Sequence, residues 1–392
     1  MQNELNIIIT LAFIIFASPY ISRMFRISIA PVEIMLGSVA GFMGIIVPNE
    51  TFWLISNVGF LFLMFLAGME IDLRLVLSAD KKLLKNGFIY LAILYFLASA
   101  VTFGFDLDRL FVIIIPIMSV GMIFTLFKEY GKEETWLNAS MLVGCLGELF
   151  SIVFLTFASS YMQFGNHSGF WISIAYLLGF MGLSVLIYKL FVVLFWWYPS
   201  LKTIIMPYYD KNEKDIRLSI ALFLVMIALM IHLHLEIVFG VFIAGMFVTT
   251  FFGHKKDLPH KLGSFGFGFL VPIFFVYIGT TLKLDMLLNK DVLNYAFLIT
   301  IMIFLCRFVS SFVFLRMFGF KKMLLFALSQ SMPLTLLVAV ATIAHSYGDM
   351  SEQAYSSFIL ASLLQAVIMM ISIKIINNYK KGGRYEKYSN SN

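Results

Sequence analysis

Residues 170–198 read FWISIAYLLGFMGLSVLIYKLFVVLFWWY and contain a single charged side chain, Lys189. About 20 consecutive apolar residues are enough for an α-helix to cross the hydrocarbon core of a bilayer. This stretch therefore predicts a transmembrane helix. Similar stretches recur from the N-terminus to near residue 377, so the sequence predicts an all-α, polytopic membrane protein.

Composition supports the same fold class. Of the 392 residues, 61% are hydrophobic and 13% are charged. Soluble domains carry about 25% charged residues, so too few remain here to cover a surface in water. The chain shows no phosphate-binding loop, zinc motif or nucleophile–base signature. We therefore expect no enzyme activity, no cofactor and no metal other than a transported ion.

Thirteen apolar stretches are assigned as membrane spans. They are 5–22, 29–47, 52–71, 86–105, 109–127, 136–160, 170–198, 217–232, 236–252, 265–288, 293–315, 323–345 and 354–377.

The distribution of basic residues gives these spans an orientation. One set of alternate loops and ends holds 22 lysines and arginines, whereas the other set holds 3 (Arg109, Lys283 and Lys290). Cytoplasmic loops carry the excess of basic residues. The pattern predicts an N-terminus outside and a C-terminus in the cytoplasm. It also accounts for the formal charge of +6 without a nucleic-acid partner.

Two sequence motifs occur twice. EIMLG followed by AG recurs as EIVFG followed by AG, and GFL leading to GMEIDL recurs as GFL leading to GTTLKL. The first copies lie at 33–41 and 59–73, and the second copies at 236–245 and 268–284. The copies are seven spans apart, so they point in opposite directions across the membrane. An inverted-topology repeat is typical of secondary transporters, whose substrate site lies near the midplane.

Two charged residues fall in the middle of predicted spans. Glu148 lies midway along the sixth span and Arg307 near the middle of the eleventh. A charge at this depth costs about 2.5–3.5 kcal/mol on insertion scales, so it needs partners or a function. Glu148 can exchange a proton, whereas Arg307 stays charged and is assigned a charge-compensating role. A buried structural ion pair between the two is the alternative.

The fifth and twelfth spans each contain helix-breaking residues near their centres. The fifth has Pro116 followed by Ser119 and Gly121, and the twelfth has Gln330, Pro333 and Thr335. Proline removes a backbone hydrogen bond, and freed carbonyls in a membrane are tolerated where they line a cavity. Paired discontinuous helices with polar residues suit a monovalent cation. A purely structural kink is the alternative at either proline.

Three motifs together resemble those of monovalent cation:proton antiporter family 2, the bacterial sodium/proton and potassium/proton exchangers. They are LMFLAGMEIDL at 63–73, SVG at 119–121 followed by LFKEYGK at 126–132, and PIFFVYIG at 272–279. The resemblance covers essentially the whole chain. It implies a homodimer with a static part and a moving core, in which the fifth and twelfth spans cross. Glu148 falls where the family has its essential acid, and Arg307 where it has a basic residue.

The sequence also departs from the family pattern. The family often has Asp-Asp or Asn-Asp in the sixth span, whereas this chain has Gly147 before Glu148. The family often has Thr-Asp in the fifth span, whereas Ser119-Val120 in this chain provides no acid. The cation ligands expected are therefore Glu148, Ser119 and Ser151.

The resulting functional prediction is electroneutral exchange of Na⁺ for H⁺ by an elevator-type motion in the bacterial inner membrane, with K⁺ as the alternative cation. Residues 1–378 form the antiporter domain, with repeats at about 29–160 and 236–377 joined by a linker helix at 170–198. Residues 379–392 form a short basic cytoplasmic tail. The alternatives are a sodium-coupled symporter of a small organic anion on a related fold, and a sensor or assembly subunit.

Overall fold

The computed structural model describes residues 2–25, 27–70, 80–130, 134–164, 168–201, 212–253, 255, 257–282 and 289–389. Every regular element within these ranges is helical. Among them, nine helices are long and apolar enough to cross a bilayer. The predicted all-helical, polytopic membrane fold is therefore confirmed. Several basic loop residues of the charge count, and parts of the second repeated motif at 71–73 and 283–284, lie outside the described ranges.

Sixteen α-helices follow one another along the described chain. They are α1 (Gln2–Phe25), α2 (Ile29–Phe42), α3 (Glu50–Met69), α4 (Lys81–Gly104), α5 (Phe111–Ile114), α6 (Gly121–Tyr130), α7 (Thr135–Phe164), α8 (Ser168–Trp197), α9 (Lys214–His232), α10 (Ile237–Phe251), α11 (Leu258–Phe265), α12 (Val271–Thr281), α13 (Lys290–Ser310), α14 (Leu315–Gln330), α15 (Leu334–Ser346) and α16 (Glu352–Ser389). A π-helix at Gly266–Leu270 joins α11 to α12, and a 3₁₀ turn at Ser311–Phe314 joins α13 to α14.

The nine long helices and the thirteen predicted spans differ where helices are short or interrupted. The apolar helices α2 and α10 have 14 and 15 residues, and the fifth predicted span is divided between α5 and α6. The eleventh and twelfth predicted spans both fall within one apolar helical stretch, Lys290–Ser346. The count of thirteen stays a prediction.

The described residues form two compact units. The first lies within Met1–Ser18, Glu33–Ser78 and Ile152–Thr281, and the second within Pro19–Val32, Ala79–Ser151 and Leu282–Asn392. Each unit contains segments from both predicted repeats.

In the first unit, glycines allow helices from different repeats to pack with their backbones in contact. A methyl group on Gly68 of α3 would collide with the Phe242 carbonyl of α10, and one on Gly245 of α10 would collide with the Phe65 carbonyl of α3. Gly37 of α2 and Gly279 of α12 approach each other's helices in the same way. Because α2 corresponds to α10 and α3 to α12 in the predicted repeat, the two helix pairs correspond to each other.

The second unit contains the long C-terminal helix α16, which packs against α13, α14 and α15. Tyr90 of α4 is fully buried, and its ring contacts Phe314 and Phe326 with centroid distances of 6.2 and 5.3 Å. Near the start of α14, Gly319 has φ +74°, a conformation that side chains with a Cβ rarely adopt. This residue changes the chain direction before residues 320–330 resume the helix.

Several helices begin at capping side chains. Asn49 Oδ1 accepts the Phe52 N–H of α3 at 2.8 Å, and Asn289 Oδ1 accepts the Asp291 N–H of α13 at 2.9 Å. Asp80 caps α4 in the same way through the Lys82 N–H. Such caps satisfy backbone donors that have no partner within the helix. They fix where these spans start.

We predict that Gly245→Ala destabilises the protein by about 1–3 kcal/mol, because the added methyl group forces two backbones apart. The matched control is Gly182→Ala in α8, where a methyl group meets no atom within 4 Å. Thermal unfolding of the purified variants in detergent measures the difference. Equal unfolding temperatures for the two variants would contradict the close-packing account.

Candidate functional site

The second unit contains a helix interruption at the predicted position in the fifth span. Helix α5 ends at Ile114, α6 begins at Gly121, and residues 115–120 between them are not helical. Pro116 lies inside this segment and is buried. Since proline has no N–H and blocks the preceding turn, it prevents α5 from continuing into α6. Buried backbone groups of the segment therefore need partners from elsewhere.

Arg307 of α13 provides partners for the carbonyl side of the interruption. Its Nη1 donates to the carbonyl oxygens of Ile115, at 2.8 Å, and Ile303, at 3.2 Å. Its Nη2 donates to the carbonyl oxygen of Ile117. The side chain is fully buried, and a cation is favourable at the C-terminal end of a helix. Arg307 thus holds the open end of α5 in place.

Glu148 of α7 provides a partner on the amide side. Its Oε2 accepts the Val120 N–H at 3.1 Å, immediately before the start of α6. The carboxyl group is fully buried. The N-terminus of a helix carries partial positive charge, which stabilises a carboxylate there. The one acidic side chain predicted for the site therefore lies at the amide end of the interruption.

Hydroxyl groups complete the contacts of the interruption. Ser151 Oγ accepts the Met118 N–H at 3.0 Å and donates to the Gly147 carbonyl at 2.7 Å. Ser119 Oγ lies 2.5 Å from Thr335 Oγ1 of α15. The last contact joins the interruption of the fifth predicted span to that of the twelfth.

The second interruption separates α14, which ends at Gln330, from α15, which begins at Leu334. Pro333 immediately precedes α15, where the missing proline N–H needs no helical partner. Gln330 Nε2 donates to the Ser140 carbonyl of α7 at 2.8 Å, and Ser329 Oγ donates to Ser140 Oγ at 2.8 Å. The end of α14 is thereby fixed to α7.

Gly147 leaves room for the interrupted segment beside Glu148. A methyl group on Gly147 would collide with the Met118 sulfur, and the methyl carbon of Met118 would lie 2.9 Å from it. Met118 is fully buried and fills the space that a side chain at position 147 would need. A larger residue at position 147, such as the Asp or Asn expected from the family resemblance, would require Met118 to move.

The structure brings most of the predicted site residues together. Glu148 and Ser151 contact the first interruption, which contains Ser119 and Pro116. Ser119 in turn contacts Thr335, and Pro333 lies within the second interruption. Gly121 begins α6, and a methyl group at this position would meet no atom within 4 Å. Within the described part of the chain, Arg307 donates only to carbonyl oxygens and forms no ion pair with Glu148. These contacts give no support to the ion-pair alternative.

Ser140 and Met118 were missed by reasoning from the sequence. Ser140 lies eight residues before Glu148, on the same face of α7, and this spacing could have indicated it. Met118 carries no polar signal that could have marked it.

A buried carboxyl group and a buried guanidinium at helix interruptions, inside an all-helical membrane bundle, are features of secondary transporters. The family model described as "Sodium/hydrogen exchanger, transmembrane" matches residues 9–378. The chain belongs to this family, so it is a transporter and not an enzyme. The family resemblance read from the motifs is confirmed.

Two curated relatives are similar over nearly the whole chain. "Putative Na(+)/H(+) antiporter YjbQ" of Bacillus subtilis is 27% identical over 400 residues, which cover 94% of this chain. This chain spans only 62% of the length of that relative. "Probable Na(+)/H(+) antiporter 3" of Methanocaldococcus jannaschii is 24% identical over 391 residues, covering 96% of this chain and 97% of the relative.

A solved structure has a similar fold. The sodium proton antiporter MjNhaP1 from Methanocaldococcus jannaschii, determined at pH 8, matches with a TM-score of 0.67 and 17% sequence identity. The match covers 96% of this chain and 99% of the solved one.

We predict that Arg307→Met destabilises the protein by about 3 kcal/mol or more, because buried carbonyls lose charged hydrogen bonds that contribute about 1.5–3 kcal/mol each. Arg307→Lys should lose less, since one ammonium group still reaches one carbonyl. Thermal unfolding in detergent measures both effects. The control is the double variant Arg307→Met/Glu148→Gln, which should be no more stable than Arg307→Met. Recovery of stability in the double variant would restore the ion-pair interpretation.

Proposed function

We propose that this chain exchanges Na⁺ for H⁺ across the bacterial cytoplasmic membrane, with K⁺ as the alternative cation, and that Glu148 carries either ion in turn. The observation that carries the proposal is the Glu148 carboxyl group, buried at the start of α6 and held by the Val120 N–H. Family membership supports the exchange of sodium ions and protons.

The exchange follows from the chemistry of one carboxyl group. Ionised Glu148 binds the cation, with the Ser119 hydroxyl and backbone carbonyls of the interruption as further oxygen ligands. When a proton arrives from the opposite side, it binds the same carboxylate and the cation leaves. A later release of that proton to water restores the ionised form. Ser151 holds the Met118 amide beside the carboxyl group and offers its remaining lone pair to the cation.

Charge explains why the two ions move in exchange. With a cation or a proton bound, the carboxylate is neutralised, so the site can pass through the membrane interior. The empty ionised site is costly to expose to low dielectric, which prevents a one-way leak. Arg307 keeps its charge throughout and stays bound to the carbonyls of the interruption. It therefore does not alter the difference in charge between the cation-loaded and the protonated site. We assign the movement to an elevator-type displacement of the part that contains the site.

The arrangement in the membrane is part of the proposal. The bias of 22 basic residues to 3 supports an N-terminus outside and a C-terminus in the cytoplasm. The close backbone contacts of α3 with α10 and of α2 with α12, which are corresponding helix pairs in the predicted repeat, support an inverted repeat. The Ser119–Thr335 contact supports two discontinuous helices that cross. We retain thirteen spans, the domain boundaries at 1–378 and 379–392, and a homodimer as elements of this proposal.

We predict that Glu148→Gln abolishes cation-driven proton movement, since the amide binds no proton in exchange for a cation. The measurement is fluorescence dequenching of a pH-sensitive dye in proteoliposomes, with Na⁺, K⁺ and Li⁺ added in turn over a pH series. The matched control is Glu33→Gln, which changes another buried carboxyl group, one that accepts a hydrogen bond from Ser18 Oγ at 3.2 Å.

Glu33→Gln should retain exchange in this assay. Continued exchange by Glu148→Gln would overturn the assignment of Glu148. Sodium flux that requires an organic anion and moves no protons would instead support the symporter alternative.

We further predict that exchange is electroneutral, because one carboxylate alternates between one cation and one proton. The initial rate of Na⁺/H⁺ exchange in proteoliposomes should be the same at zero membrane potential and at about 100 mV of either sign. The potential is set with valinomycin and potassium gradients. For one charge, 100 mV corresponds to about 2.3 kcal/mol, so a net charge movement would be visible. A rate that follows the sign of the potential would contradict a one-for-one exchange.

A further inference from the structure

Gln330 is a buried residue whose amide is fixed in one orientation. It lies at the end of α14 with 2% of its surface exposed. Its nitrogen lies 2.8 Å from the Ser140 carbonyl oxygen, which can only accept a hydrogen bond. The amide nitrogen must therefore face Ser140, and the side-chain carbonyl oxygen faces the other way.

That oxygen has no hydrogen-bond donor among the residues that the structure describes. The atom is inaccessible to solvent, and a buried amide oxygen without a donor is unfavourable unless a cation or water binds it. The interactions that hold Gln330 thus leave one strong acceptor unused among the described residues. This is the first indication of a ligand at this position.

The position of the oxygen relates it to Glu148. A methyl group on Gly144 of α7 would lie 3.7 Å from Gln330 Oε1 and 3.5 Å from a Val120 side-chain carbon. Gly144 is one helical turn before Glu148, so both face the same side of α7. Val120 also donates its N–H to Glu148. The oxygen therefore lies beside α7 one turn before Glu148, close to the Val120 side chain at the start of α6.

We propose that the Gln330 side-chain oxygen is a neutral ligand of the transported cation and contributes to selection among alkali ions. The inference rests on the proposed function. Amide carbonyl oxygens are established ligands of hard cations. A neutral ligand leaves the charge of the loaded site unchanged, so one-for-one exchange is preserved. Because a proton on Glu148 needs no further oxygen, Gln330 affects the binding of the cation and not that of the proton.

The decisive variant is Gln330→Met, which keeps the length of the side chain and removes its oxygen. In the dequenching assay, we expect the apparent KM for Na⁺ to rise about tenfold, as for one lost interaction of moderate strength. The maximal rate should change less than about twofold, and the pH dependence at saturating Na⁺ should be unchanged. The ratio of the KM values for Na⁺, K⁺ and Li⁺ should also change.

Gln365 offers a matched control. It is fully buried on α16, and neither its amide oxygen nor its nitrogen has a partner among the described residues. Gln365→Met is the same chemical change at another buried glutamine and should leave the ratio of KM values as in the wild type. An equal change in both variants would show a general effect of losing a buried amide and would overturn the proposal.

A second variant separates ligation from folding. Gln330→Glu, when protonated, retains a donor for the Ser140 carbonyl and a carbonyl oxygen for the cation. Its KM for Na⁺ should be equal to or below that of the wild type, and a tenfold higher value would overturn the proposal. Where a variant is too slow to assay, the Na⁺ concentration that gives half of the thermal stabilisation measures binding directly, with the same tenfold expectation for Gln330→Met.

The two proposals fail in different ways. Persistent exchange by Glu148→Gln would remove the proposed function and this inference with it. Loss of exchange in Glu148→Gln, together with a wild-type KM for Na⁺ in Gln330→Met, would overturn only the role of Gln330.

Discussion

Backbone hydrogen bonding in a membrane is the constraint on which the site depends. A bilayer has no water to replace the hydrogen bonds that Pro116 removes from the fifth predicted span, so protein groups must take their place. Arg307 binds the freed carbonyls, Glu148 binds the Val120 N–H and Ser151 binds the Met118 N–H. The buried charged groups are therefore located where an interrupted helix requires them.

This division of partners has an electrostatic result. The guanidinium donates to carbonyl oxygens that follow α5, and the carboxyl group lies at the amide end of α6, which carries partial positive charge. Since Arg307 is occupied by carbonyl oxygens, it does not neutralise Glu148 through an ion pair. In the proposed function, this carboxyl group is the one that binds a cation and a proton in turn. A direct ion pair with Arg307 would weaken the binding of a proton or a cation to Glu148.

The sequence predicts the membrane fold and the depth of the important residues, because hydropathy, proline and charge act locally. Glu148, Arg307, Pro116 and Pro333 were found in this way. The partners of Arg307 could not be predicted, since the Ile115 carbonyl is 192 residues away along the chain and carries no sequence signal. The same holds for Gln330 and Ser140, which are 190 residues apart. Hydropathy also does not show where a span is interrupted, so α5 and α6 appeared as one stretch.

The contact between Met118 and Gly147 has a consequence for how such sites diverge. A second acidic side chain beside Glu148 requires space that the Met118 sulfur now fills. A side chain at 147 would require Met118 to move, and a smaller residue at 118 would leave a cavity beside the carboxyl group. We therefore expect the two positions to change together.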